Sequence, residues 1–245
     1  MWNNQKCTAI LPVRNEARNI SRLAASIPAF VDQVIVIDGN STDGSLEIAR
    51  GIESIDVAVS QTHRGKGAAL SLGFSLASGD YVFVLDTDGS MDPEELPLFA
   101  TALDRGAAAA KGSRNLSGAG SNDLTKFRNF GNDFLTWLTN WLYGSELSDI
   151  TYGYWGIQRR TLLELGLTKF DDRAPRRFSH RKMTYGQGFE IEALMLCRIL
   201  RANKTIVEVP CWENQRWSGS SNLHAISDGL RTLRAIIHER FRRSF

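Results

Sequence analysis

Two aspartates separated by one residue, Asp86 and Asp88, close the apolar run Tyr81-Val82-Phe83-Val84-Leu85. Carboxylates are hard oxygen donors. Alternate residues of an extended chain point the same way, so this pair can converge on one divalent cation and, through it, on a phosphate. An unbroken run of aromatic and β-branched residues fits a strand buried on both faces, and open parallel sheets bind ligands at the carboxyl ends of such strands. The plainer alternative is an Asp-rich turn, with Asp88-Gly89 as turn residues. Glu16 and Asp38 stand at two further strand ends, and Asp38 is placed to accept hydrogen bonds from a ribose or base edge. No GxGxxG follows the first strand and no GxxxxGK[ST] loop occurs, which leaves a nucleotide site that uses a metal for its phosphates. Magnesium or manganese suits such donors.

The elements that must position these groups alternate. Strands are expected at 8–13, 31–38, 57–59 and 81–85, with helices over 16–27, 44–50 and 66–77 between them, a pattern of βαβ units and a mostly parallel sheet. Asp92-Pro93-Glu94-Glu95 reads as a helix start, with Asp92 at the cap and Pro93 in the first turn, and the helix runs to about 104. A strand at 107–111 leads into a Gly/Ser-rich loop over 112–122. Residues 124–142 carry Phe127, Phe130, Phe134, Leu135, Trp137, Leu138 and Trp141 at helical spacing, and this aromatic stripe is expected in the core. The polar, basic stretch 171–187 is the candidate mobile segment. A helix over 189–202 and a strand over 205–209 complete the main body. From Leu223 onward, Ile226, Leu230, Leu233, Ile236, Ile237 and Phe241 recur at helical spacing among Arg231, Arg234, Arg240, Arg242 and Arg243. Such a helix either packs on the domain with a basic solvent face or lies on an anionic bilayer as a peripheral contact.

The chain has 245 residues, 42% hydrophobic and 23% charged, as in an ordinary globular protein. No apolar stretch is long enough to span a bilayer and no signal-peptide pattern opens the chain, so a cytoplasmic protein is expected, at most peripheral on the cytoplasmic membrane face. Cys7, Cys197 and Cys211 are odd in number and widely spaced, which argues against a disulfide framework or zinc site. Net charge is only +2, yet residues 173–245 hold 14 Lys and Arg against 6 Asp and Glu. An acidic first part and a basic second part fit an anionic acceptor or membrane surface; no nucleic-acid-binding signature is present.

Taken in order, these residues resemble the GT-A-fold, family 2 glycosyltransferases, in their dolichol-phosphate mannosyltransferase-like branch. The resemblance rests on Leu11-Pro12-Val13-Arg14-Asn15-Glu16, Val36-Ile37-Asp38-Gly39-Asn40-Ser41-Thr42-Asp43-Gly44, Gly65-Lys66-Gly67 and Leu85-Asp86-Thr87-Asp88. It continues through Gly112-Ser113-Arg114, Gly188-Phe189-Glu190-Ile191-Glu192, Val209-Pro210 and Arg216-Trp217-Ser218-Gly219-Ser220-Ser221. It implies an α/β, GT-A fold: a mostly parallel nucleotide-binding sheet flanked by helices on both faces. Residues 1–222 would be the catalytic domain, 1–110 holding the nucleotide sugar and 111–222 the acceptor, with a basic amphipathic helix over 223–245. Asp86 and Asp88 would be the DxD motif that holds Mg2+ or Mn2+ on the donor diphosphate. Pro12, Arg14, Glu16, Asp38, Lys66, Thr87 and Arg216 would complete the donor site. Two departures stand out: many relatives carry a second aspartate where this chain has Gly39, and a metal-contacting Gln where it has Ser90.

The implied reaction is inverting transfer of a hexose from a GDP-mannose or UDP-glucose type donor. If the acceptor is a polyprenyl phosphate it is already ionised, and Arg114 and Arg128 would position it. If it is a hydroxyl of a small molecule or glycan, a base is needed, and Glu190 or Asp149 is the candidate. Both carboxylates have a plain alternative, in a helix first turn and in a loop turn. A nucleotidyltransferase and a non-catalytic sugar-nucleotide-binding protein are the readings from other classes.

Overall fold

A computed structural model describes residues 1–168, 185–218 and 224–242. Strands β1 (Cys7–Val13), β2 (Gln33–Asp38), β3 (Val57–Ser60) and β4 (Tyr81–Val84) alternate with helices α1 (Ile20–Ser26), α2 (Ser45–Arg50) and α3 (Lys66–Leu76). After β4 come a single 3-10 turn at Pro93–Glu95 and α4 (Leu96–Asp104), then β5 (Ala109–Ser113), β6 (Gly120–Ser121) and α5 (Lys126–Tyr143). The rest is β7 (Trp155–Gln158), α6 (Arg159–Glu164), α7 (Ile191–Arg201), β8 (Ile206–Pro210), β9 (Trp212–Glu213) and α8 (Ala225–Phe241).

Seven strands form the main sheet in the order β3-β2-β1-β4-β7-β5-β8. All pairings are parallel except those of β7, which runs against both β4 and β5. The chain moves outward from β1 to β2 and β3, then returns to place β4 on the other side of β1. The carboxyl ends of β1 and β4 therefore flank the switch point, where a parallel sheet leaves a crevice for a ligand. Every residue of β4 is buried, as its unbroken apolar run requires. One face of the sheet packs on α3, α7 and α8 through Ile10, Ile35, Phe74 and Leu196, and the other on α1 and α4 through Leu11, Leu23, Phe83 and Phe99. All three cysteines are free and buried.

The structure corrects four expectations. The helix expected from residue 16 begins only at Ile20, because Asn15 is left-handed (φ 59°) and residues 15–17 are held by Ser41, Asp43 and Ser45. Strand β7 was not foreseen: four residues beside two glycines show no periodicity, and only its neighbours define it. The strand expected at 107–111 lies at 109–113. The aromatic stripe is the fourth. Phe127, Phe130, Phe134, Trp137 and Trp141 are 46–74% exposed, and α5 instead buries Asn132, Leu135, Thr136 and Thr139. Residues 171–184, within the stretch expected to be mobile, lie outside the described residues, as do Gly219, Ser220, Ser221, Leu223 and Arg243.

The start of α3 is pressed against the backbone before α7. Gly67 N–H donates to the Gln187 carbonyl at 2.8 Å, and a Cβ on Gly67 would lie 1.9 Å from the Gly186 carbonyl oxygen. Gly131, in α5, has open space around its Cβ position. Denaturant unfolding of Gly67→Ala should therefore show a loss of about 1–3 kcal/mol, whereas Gly131→Ala should be neutral or gain up to about 1 kcal/mol.

Candidate active site

The crevice is a cavity of about 740 Å³. One wall consists of Pro12 and Val13 at the end of β1, Arg14 and Glu16 after it, Gly39 after β2, and Asp86, Thr87, Asp88 and Ser90 after β4. Gln61, Gly65 and Lys66 extend this wall, and the opposite side is built from α5 and α8. Parallel strands deliver their polar ends to one edge, so residues dispersed over the first 90 positions meet there.

Both aspartates are held by protein cations. Lys66 Nζ lies 2.7 Å from Asp86 Oδ1 and 2.7 Å from Glu192 Oε1. Burial alone would lower the Lys66 pKa, but the two carboxylates raise it above its ordinary value, so it stays charged. Arg216 reaches Asp88 at 2.8 Å. Ser90 donates both its amide and its hydroxyl to Asp88 Oδ1, at 3.0 and 2.7 Å. The Ser90 hydroxyl thus orients the carboxylate. Thr87 Oγ1 donates to the Pro12 carbonyl at 3.2 Å and ties the two loops together. Over them lies Trp217, whose amide donates to the Asp88 carbonyl at 2.9 Å. Its indole occupies the place of any side chain at Gly89 (φ 83°). Ser218 Oγ donates to Asn19, which in turn donates to Glu16.

Two carboxylates and a hydroxyl are a fitting donor set for Mg2+ or Mn2+, which commonly take one or two protein carboxylates and complete their shell with phosphate and water. Among the described residues no group of three or more His, Cys, Asp or Glu converges as a metal cage.

The remaining expected residues divide. Asp38 is buried and accepts from the Ser41 amide and Ser60 hydroxyl, so Gly39, not Asp38, borders the cavity. Arg14, Arg114 and Arg128 all border it. Arg114 is gripped by Asp149 through Nε (2.7 Å) and Nη2 (3.1 Å), by Glu213 (3.1 Å) and by Thr151 (3.0 Å). Arg128 makes one long pair with Asp123, at 3.5 Å. Glu190 accepts from Arg231 of α8 at 2.7 and 3.0 Å and from the Gly186 and Gly188 amides. Neither Glu190 nor Asp149 borders the cavity.

Glu192, Glu213, Asp123 and Gln61 were not assigned roles from sequence. Each belongs to the site: Glu192 holds Lys66, Glu213 holds Arg114, and Asp123 bridges Arg128 and Arg216. Gln61 Oε1 is buried at the cavity wall without a hydrogen-bond partner among the described residues. Only Glu192 had a local signal, since it ends the segment Gly188–Glu192.

A family model described as Glycosyl transferase family 2 matches residues 8–166, which contain the ends of β1, β2 and β4 that flank the crevice. The chain belongs to glycosyl transferase family 2. This family 2 enzyme is 30% identical over 229 residues to polyprenol monophosphomannose synthase of Mycolicibacterium smegmatis, covering 89% of this chain and 81% of the relative. It is 30% identical over 230 residues to undecaprenyl-phosphate mannosyltransferase of Micrococcus luteus, covering 87% and 86%. Among solved structures it resembles glucosyl-3-phosphoglycerate synthase from Mycobacterium tuberculosis in complex with Mn2+, UDP and glucosyl-3-phosphoglycerate, with TM-score 0.70. That match has 21% identity and covers 97% of this chain and 80% of the other. The fold is therefore GT-A, and the family 2 enzyme is a glycosyltransferase; nucleotidyl transfer and non-catalytic binding fall away.

Burial raises the Asp149 pKa, but Lys111 and Arg114 overcome this and hold it down at about 2, below its ordinary 3.8. A depressed carboxylate stabilises the fold above its unfolded pKa, and the contribution fades as pH falls through the folded value. Asp149→Asn leaves Arg114 partly uncompensated and should cost about 3–5 kcal/mol at pH 7. The stability gap to the wild type, followed by denaturant unfolding, should narrow between pH 4 and pH 2.

Proposed function

We propose that this enzyme transfers a hexose, with inversion, from a nucleoside-diphosphate sugar to a polyprenyl phosphate, using Mg2+ or Mn2+. The supporting observation is that, among the described residues, every carboxylate bordering the cavity is already engaged. Asp86 and Glu192 are held by Lys66, Asp88 by Arg216, and Glu213 by Arg114. Glu16 accepts from Asn19 and Asp228 from the His224 amide. Held this way, each must give up an existing contact before it can take a proton from an acceptor hydroxyl. An acceptor hydroxyl needs a base, whereas an acceptor phosphate is ionised before it arrives.

In this reading the nucleoside lies along Pro12, Arg14, Glu16, Gly39 and Gln61, and the diphosphate beside Asp86 and Asp88. The bound cation would neutralise the charge that gathers on the departing diphosphate. Lys66 and Arg216 are the chain's own positive groups at that point, so the same charge meets donors already in place. Arg128, with one long ion pair, is the group freer to take the acceptor phosphate; Arg114, clamped on several sides, shapes the floor beneath it. The relatives named for polyprenyl-phosphate acceptors agree with this choice. No helix among the described residues is long and apolar enough to cross a membrane, so a cytoplasmic enzyme would meet a lipid acceptor peripherally.

Incubation with labelled GDP- and UDP-hexoses and a polyprenyl phosphate should give a labelled lipid that resists mild alkali and yields to mild acid. Absence of lipid product across these donors, with transfer to a soluble hydroxyl acceptor, sinks the proposal. Asp88→Asn should lower transfer by about 100-fold or more and abolish the thermal stabilisation that Mn2+ plus nucleoside diphosphate gives the wild type.

A further inference from the structure

A buried ion pair lies beside the cavity lining without joining it. Arg231 of α8 donates to Glu190 Oε1 at 2.7 Å and to Oε2 at 3.0 Å, and the two residues are 7% and 2% exposed. A buried pair of this kind adds little net stability over an apolar pair of the same volume and is suited to fixing one geometry. The geometry in question is that of residues 186–192. Glu190 Oε1 also accepts from the Gly186 and Gly188 amides at 3.1 and 3.3 Å, so the carboxylate staples the turn that leads into α7. A Cβ on Gly188 would fall 2.5 Å from Glu190 Oε2 and 2.8 Å from Arg231 Nη2, so the backbone lies directly against the pair.

The same stretch surrounds Lys66. The Gln187 carbonyl accepts from the Gly67 and Ala68 amides at 2.8 and 3.3 Å and so seats the first turn of α3. The Phe189 ring lies 5.9 Å from Lys66 Nζ, and Glu192 holds that ammonium at 2.7 Å. Backbone, ring and carboxylate thus reach Lys66 from one short segment. Displacing the segment displaces the ammonium that stands on Asp86.

Helix α8 grips the segment at a second point, where Tyr185 Oη donates to Glu239 Oε1 at 2.9 Å. The first turns of α8 also wall the cavity, through Ala225, Asp228 and Thr232. One helix therefore shapes the side of the cavity opposite the aspartates and holds the segment on which Lys66 depends.

We propose that Glu190, oriented by Arg231, is a positioning residue for Lys66: its carboxylate sets residues 186–192 so that the ammonium stands where charge gathers on the departing diphosphate. This rests on the donor-site reading above and not on the choice of acceptor. What matters is the oxygen that holds the Gly186 and Gly188 amides, so the role differs from that of a base. The experiment compares two paired variants that both lack the ion pair and strand no charge. Glu190→Gln/Arg231→Met keeps a side-chain oxygen for the two amides, and Glu190→Ala/Arg231→Met removes it. Each is made in the wild-type chain and in Lys66→Met. Calorimetry follows binding of UDP and of GDP with Mn2+, and transfer gives kcat, all well below the melting temperatures of the variants.

Relative to Glu190→Gln/Arg231→Met, the Glu190→Ala pair should bind the nucleotide about tenfold more weakly and lower kcat by about 100-fold. In Lys66→Met both differences should vanish, because effects that pass through one side chain do not add. Gly67→Ala wedges the same contact from the α3 side and should show the same losses with the same dependence on Lys66; it carries the test where a paired variant does not fold. Paired variants with equal affinity and equal kcat overturn the positioning role, as they would if Glu190 acted through its charge or as a base. A difference that persists at full size in Lys66→Met overturns it too, by showing a general structural effect. So does Gly67→Ala with wild-type binding and kcat. A wild-type chain that binds neither nucleotide with Mn2+ overturns the donor reading and the positioning role together.

Discussion

Like charges gathered at one edge of a sheet repel, and in a buried site the repulsion is poorly screened. The cavity wall meets this constraint by threading Lys66 between Asp86 and Glu192 and laying Arg216 on Asp88. Much of the local architecture follows. Lys66 opens α3 at a point where only glycine allows the helix to approach residues 186–187, and Gly153 leaves room where a Cβ would fall 2.4 Å from Glu192 Oε1. The same solution recurs with Arg114 between Asp149 and Glu213. Each cation is held by carboxylates from distant parts of the chain, so the site is stiff before any ligand arrives.

This stiffness bears on chemistry. Fixed positive groups already oriented at the place where charge develops need little reorganisation when it does. Their pairing carboxylates are committed in exchange, which favours an acceptor that brings its own negative charge. Arg128 differs from Arg114 because it sits on an exposed helix with one long ion pair, at the boundary between the polar cavity and the aromatic face.

How much of this was legible in sequence depended on range. Strands β1, β2 and β4 and their terminal carboxylates announced themselves because burial on both faces writes an unbroken apolar run followed by polar residues. β7 left no such mark; its four residues are a strand only because β4 and β5 stand on either side. The α5 stripe was legible as a pattern and misplaced as a location, since helical periodicity reports that two faces differ, not which one meets the core. Asp38 was expected at the nucleoside because of its strand-end position, yet the Ser41 amide and Ser60 hydroxyl claim it. Glu213 was invisible because its partner Arg114 lies 99 residues away, and Asp123 because its bridge from Arg128 runs on to Arg216, 93 residues away.

Trp217 and Ser218 extend this reach further. Ser218 bonds to Asn19 across 199 residues, while Trp217 stacks under the Arg22 guanidinium at 4.0 Å and covers Gly89. The loop that roofs the carboxylate pair is thus made near the end of the chain and anchored near its beginning. Contacts of such sequence separation are slow to form. During synthesis β1, β2 and β4 can pair as they emerge, but the carboxylates receive Arg216 only after about 130 further residues have been added. A ribosome-bound chain therefore carries these first strands without the finished site, and synthesis itself sets the moment at which the carboxylate pair is roofed.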